Sequence, residues 1–185
     1  YMYKKLQTEL KNGKTEKRKN LVEYLFTLYT EFFRDAEKNS ELWERAKEET
    51  KKLQEGDPEN QKLWKWFVAE SKKEFDKTYA VLGVTFDAEL GESFYQPMLQ
   101  SIVEEALKRG VARKEEGAAK VFFDGKLQPI VIQKADGSFL YSTTDLAAIK
   151  HRVKEWKPVR ILYIVSNEQA LHFEQLFEAA QLLGF

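Results

Sequence analysis

The sequence contains no cysteine, which excludes a disulfide framework, a thiolate metal site and a cysteine nucleophile. It also has no net charge, because 30 Lys and Arg balance 30 Asp and Glu. Without a bulk basic field DNA is not an expected partner, and any RNA contact has to be local. No run approaches the roughly eighteen apolar residues of a membrane span, and the opening YMYKKLQTELKNGK lacks the apolar core of a signal peptide. The expectation is a soluble protein of a reducing, cytoplasmic compartment.

What is present is enough chain for one sizeable domain, or for one domain carrying a large helical insertion. Aromatic residues make up 14% of it and alternate with charges in the first half, a composition that folds rather than that of a disordered tail. In LVEYLFTLYTEFFRDAEK, Leu21, Tyr24, Leu25, Leu28 and Phe32 recur at helical spacing and predict one apolar stripe. ELWERAKEETKKLQEGD continues the period to Gly56, a left-handed terminus. Asp57 and Pro58 then start another helix, with a carboxylate cap and a proline in the first turn. That helix carries Leu63, Trp64, Phe67, Phe75 and Tyr79 and ends at Leu82-Gly83. Residues 1–82 are therefore expected to form a helical subdomain, and residues 83–185 an α/β portion.

In the second part PMLQSIVEEALKRG has a helix pattern. Val111–Arg113, Lys120–Phe123 and Pro129–Gln133 read as short strands separated by glycine-containing turns, and a small antiparallel sheet is their simplest arrangement. Ser142, Thr143 and Thr144 offer hydroxyl caps to a helix through DLAAIKHRVKEW. VRILYIVS is a near-continuous apolar run, the pattern of a strand buried on both faces of a parallel sheet, and the helix NEQALHFEQLFEAAQLL follows it directly. The fold class read from this is α/β: a Rossmann-type parallel sheet portion with a helical insertion and a small antiparallel sheet.

Chemistry concentrates in YSTTDLAAIKHR. Tyr141 and Asp145 are four apart, so both project from the first turn or share one helix face. Asp145 reads either as a first-turn charge favoured by the helix N-terminus, beside a half-buried Tyr141, or as half of a cation pocket made by a phenol and a carboxylate. Glu92, after a glycine in FDAELGESFYQP, is a loop carboxylate, a helix cap, or a second acid for the same cation; two carboxylates facing a guanidinium can accept several of its five N–H donors. Ser166, Asn167 and Gln169 follow the apolar run at a helix start, where open α/β sheets bind ligands and where polar residues also simply cap. His172 is a ligand contact or an ordinary helix-face histidine.

Taken together and in order, FDAELGESFY, IQKADGSFLYSTTDLAAIKHR and RILYIVSNEQALHFEQLF resemble the succession found in arginyl-tRNA synthetases, class I enzymes with a Rossmann-type catalytic core. The stretch LQEGDPENQKLWKWFVAESKKEFDKTYAVLGVTFD is similar to that family's insertion between the halves of its nucleotide-binding fold. The resemblance implies that Glu92, Tyr141 and Asp145 hold the arginine guanidinium, that Gln169 approaches the α-amino and carboxylate end, and that His172 lies towards the adenylate. It implies arginine, ATP with Mg and tRNA as partners of a longer ligase. It also brings departures: no HIGH-type or KMSK-type ATP signature is present, and the histidines are His151 and His172 alone.

The chain is accordingly expected to be the arginine-recognition fragment of an arginine–tRNA ligase, without a tightly bound cofactor and inactive by itself. A stand-alone arginine-binding or regulatory module is the competing reading. A third is a helical interaction domain using Trp64, Trp66 and Phe67 as a partner surface.

Overall fold

A computed structural model describes residues 21–125 and 127–185. The chain divides into two units, the first ending at Asp87 and the second spanning Ala88–Phe185. Whatever the sequence implied for residues 1–20 lies outside the described residues.

The first unit contains three helices, α1 (Leu21–Ala36), α2 (Glu41–Gln54) and α3 (Pro58–Leu82), and no strand among its described residues. The stripe read on α1 is real: Leu28, Phe32 and Ala36 are buried. Gly56 turns the chain at a φ of 89°, where a side chain would be strained. The Asp57 carboxylate then accepts from the Asn60 N–H at 2.9 Å, with Pro58 at the first helical position. Rings of α1 and α2 meet edge to face, Phe32 and Phe33 each 5.2 Å from Trp43. They wall an open cavity of about 400 Å³ to which Trp64 and Phe67 of α3 contribute. Trp66 packs on Phe67, with ring centroids 5.3 Å apart and tilted by 39°.

The second unit starts with a short helix, α4 (Glu92–Tyr95), runs through a 3₁₀ turn (Gln96–Met98) into α5 (Leu99–Lys108), and builds a sheet of β1 (Ala112–Glu115), β2 (Ala118–Val121) and β3 (Ile130–Gln133). The sheet is antiparallel in the order β1-β2-β3, with Ala112 opposite Val121 and Val121 opposite Ile130. Alternation sends Ala119, Val121, Ile130 and Ile132 into the core. There they meet Leu99, Ile102, Val103 and Ala106 of α5, spaced to present one helix face. Helix α6 (Tyr141–Trp156) and, after a second 3₁₀ turn (Asn167–Gln169), helix α7 (Ala170–Leu182) complete the unit. Leu146 to Ile149, Leu176, Ala179, Ala180 and Leu183 close the same core.

Two expectations are corrected. VRILYIVS is not a buried strand: residues 157–166 contain neither helix nor strand, and Val159 and Ile164 are 106% and 94% exposed. A strand exists through hydrogen bonds to a neighbour, and this segment has none among the described residues, which contain the antiparallel sheet and no Rossmann-type parallel one. The alternation is nonetheless that of a strand, with Ile161 and Tyr163 turned inward and Leu162 and Ile164 outward. Secondly, the Ser/Thr run does not cap α6. The N-cap position is Leu140, with no side-chain cap, because the hydroxyls are used elsewhere: Ser142 Oγ donates to the Val131 carbonyl at 2.6 Å and Thr143 Oγ1 to the Ile132 carbonyl.

Candidate functional site

Those two hydroxyl tethers fix the start of α6 against β3. The chain reaches that point through a tight turn in which Asp136 Oδ1 accepts from the Ser138 N–H at 2.9 Å and from its hydroxyl at 2.6 Å; these bonds hold the Asp136 carboxyl below its usual range. With Ser142 and Thr143 turned to the sheet, Tyr141 and Asp145 emerge one turn apart on another face of α6. Tyr141 is 64% exposed.

The apolar face of α7 docks on α6 through Leu176, Ala179 and Ala180, which brings the N-terminal end of α7 to the same place. His172 Nε2 lies 2.7 Å from Asp145 Oδ2, with side-chain exposures of 14% and 34%. The ring of Tyr141 meets that of His172 at 4.7 Å and 67°. Behind them Tyr163 packs on Phe173 at 5.1 Å and on Phe177 at 5.4 Å. Its hydroxyl takes a hydrogen bond from Arg152 at 2.9 Å. Burial pushes the Tyr163 phenol up, Arg152 pulls it back, and the Asp145 charge adds to the upward push. Arg152 and Tyr163 were not singled out in the sequence, although Arg152 stands two turns from Asp145 on the same helix face, a spacing that could have flagged it.

The structure thus brings together three of the five residues inferred from sequence: Tyr141, Asp145 and His172. Glu92 opens α4 after the N-cap Gly91 and is exposed; among the described residues it makes no hydrogen bond or ion pair with the other four. Its helix is anchored further along α6, where Phe94 and Tyr95 lie 5.0 and 5.8 Å from the ring of His151. Gln169 is exposed in the 3₁₀ turn, three residues before His172. Tyr95 is a residue that sequence reasoning missed: its buried hydroxyl has no hydrogen-bond partner, a costly state for a phenol.

Chemically the cluster offers an acceptor carboxylate, a phenol and an imidazole at a helix start, a combination suited to an amine or guanidinium ligand. Among the described residues no group of three or more His, Cys, Asp or Glu is placed to hold a metal ion, and no helix is long and apolar enough to cross a membrane.

The chain belongs to a known class. Residues 3–185 match the family of tRNA synthetases class I (R), catalytic domain, and the chain is a member of it. The match sharpens among relatives. An arginine–tRNA ligase of Fusobacterium nucleatum is 42% identical over 91% of this chain and 30% of its own length. One from Rhodopirellula baltica is 43% identical over 84% of the chain and 23% of its own. The crystal structure of arginyl-tRNA synthetase from Plasmodium falciparum superposes with a TM-score of 0.78 at 27% identity, covering 98% of this chain and 30% of that one. The chain therefore spans 23–30% of the length of these curated relatives.

Proposed function

We propose that this chain is the arginine-recognising part of an arginine–tRNA ligase, acting with ATP, Mg and tRNA in a longer, cytoplasmic enzyme that carries the nucleotide signatures. The observation that carries the reading is the convergence of Tyr141, Asp145 and His172, 27 residues apart between the last two, in a member of that family. Asp145 is the carboxylate for the guanidinium and Tyr141 its phenolic neighbour. Glu92 is the second acid, and Gln169 meets the α-amino and carboxylate end. The pocket selects the amino acid. It needs no covalent step, since it acts by holding one reactant in place for the other.

In the same reading residues 1–82 are the helical insertion and residues 83–185 the core portion. Residues 159–165 are a strand of the Rossmann-type sheet, paired with strands outside this sequence. Their exposed apolar alternation supports that.

The test is Asp145→Asn in the full-length enzyme. A guanidinium deprived of its carboxylate loses a charge-assisted contact, and breaking such a buried pair costs about 3–5 kcal/mol. The kcat/KM for arginine should fall by about 10²- to 10³-fold or more. Citrulline, the neutral isostere, should be discriminated against less strongly by the variant, with KM for ATP little changed. Unchanged arginine discrimination in a folded variant overturns the assignment.

A further inference from the structure

We infer that His172 is a positioning residue for Asp145, an inference that rests on the arginine pocket proposed above. The resemblance alone set this histidine towards the adenylate. The geometry points to the other end of the substrate.

An ionised carboxylate only accepts hydrogen bonds, so across the 2.7 Å contact the imidazole Nε2 is the donor and Asp145 Oδ2 the acceptor. Nε2 therefore carries a proton. The contact also fixes the carboxylate. Oδ2 gives one of its lone-pair sites to the imidazole, and Oδ1 accepts no side-chain hydrogen bond among the described residues, so Oδ1 is the oxygen left wholly open to the guanidinium.

The donor is itself held. Tyr141 lies against one part of the ring at 4.7 Å and Phe173 against another at 5.0 Å. Phe173 is backed by Tyr163 at 5.1 Å, and Tyr163 is tied to α6 by Arg152 at 2.9 Å. His172 is thus a strut from α7 that touches both pocket residues of α6, the carboxylate through a hydrogen bond and the phenol through its ring. Ligand-holding groups act within tolerances of about 0.5 Å, and supporting hydrogen bonds supply that precision. Losing such a supporting bond typically weakens binding by about 10- to 100-fold at metal sites, where this has been measured best.

The experiment compares His172→Ala, His172→Gln and Asp145→Asn with wild type in the full-length ligase, by tRNA-charging kinetics in arginine and in ATP, with the Tm of each. For His172→Ala we expect KM for arginine to rise about tenfold, with kcat and KM for ATP within about twofold. His172→Gln, whose amide N–H replaces the lost donor, should recover most of that loss. In the Asp145→Asn background, His172→Ala should add little, as for two residues acting through one contact. A rise in KM for ATP with arginine unaffected would make His172 an adenylate contact and overturn the inference. A glutamine variant as impaired as the alanine one would reduce the histidine to packing, and so would overturn it too. If Asp145→Asn is damaging while His172→Ala is silent, the positioning role alone falls. If Asp145→Asn leaves arginine discrimination intact, the pocket reading falls first. Should the alanine variant fail to fold, ¹⁵N shifts of the His172 imidazole in the wild-type protein decide: a protonated Nε2 is expected, and the Nδ1–H tautomer refutes the contact.

Discussion

In the first unit the described helices bury few side chains, namely Leu28, Phe32, Ala36 and Asn60, whereas in the second a continuous set from Tyr95 to Leu183 is buried. The first unit carries its order locally. Glu41–Arg45, Glu44–Lys47 and Glu70–Lys73 pair along their own helices, and an aromatic cavity lies open between the helices. The second carries its order through contacts between distant parts of the chain, and the candidate site lies there. The contrast teaches that a convergent polar site needs a packed base: Asp145 meets His172 because Leu146 and Leu176, each fully buried, lock α6 to α7.

That difference can be broken most sharply at Leu146. Leu146→Ala should destabilise the second unit by about 2–5 kcal/mol, through lost transfer energy and a residual cavity. In the first unit Phe75→Ala, at a 56% exposed ring, should stay within about 0.5 kcal/mol. Urea unfolding of the two variants, followed by amide exchange in each unit, measures both. Equal costs would mean that the two units are not held differently.

The same contrast explains what was legible in the sequence. The α3 start at Asp57-Pro58 and the helices of residues 21–82 were readable because caps and helical spacing act within one turn. The small sheet was readable from its turns. The hydroxyls of Ser142 and Thr143 were misread as caps because their acceptors, Val131 and Ile132, are eleven residues away on another element. For VRILYIVS the strand-like alternation was legible but no strand is seen among the described residues, because apolar content shows that a segment can be a strand, while pairing depends on a neighbour. For the site, the Tyr141–Asp145 spacing was visible. The Asp145–His172 bond was not, since no spacing rule reaches across two elements.

The tethers give the next largest effect. Thr143 is fully buried, and its hydroxyl donates to Ile132 O. Thr143→Val keeps the volume and removes the donor, so it should cost about 1–3 kcal/mol. It should also raise KM for arginine in the full-length enzyme, since the first turn of α6 loses its hold on β3. A stability loss with unaltered arginine kinetics would separate the tether from the site.

A smaller effect is expected at Glu105, which joins α5 to α6 through Lys150 and accepts from Arg109 at 3.4 Å. The Lys150 hydrogen bond is the main cause that holds its carboxyl below 4.5. The unfolded chain therefore takes up the proton first as pH falls. The contribution is full above that value and is lost as pH drops further through the folded pKa. Glu105→Gln should cost about 1 kcal/mol at neutral pH, and wild type and variant should converge once the pH has dropped below the lowered folded pKa. A gap that persists in acid would assign the loss to packing.

The smallest effect belongs to the surface of the first unit. Arg45 Nη2 lies 2.8 Å from Glu41 Oε1, yet both side chains are more than half exposed. In high dielectric the attraction is screened, and ordering two long side chains offsets much of it, so such pairs contribute about 0.3–0.5 kcal/mol. Arg45→Ala should therefore lower stability by no more than about 0.5 kcal/mol, because alanine's higher helix propensity returns part of the loss. The residual difference should shrink further when salt is raised to about 1 M, where the screening length falls to about 3 Å. A cost above about 1 kcal/mol that survives high salt would mean that this ion pair is coupled to tertiary packing, and the distinction between a locally ordered first unit and a globally ordered second would fail at that point.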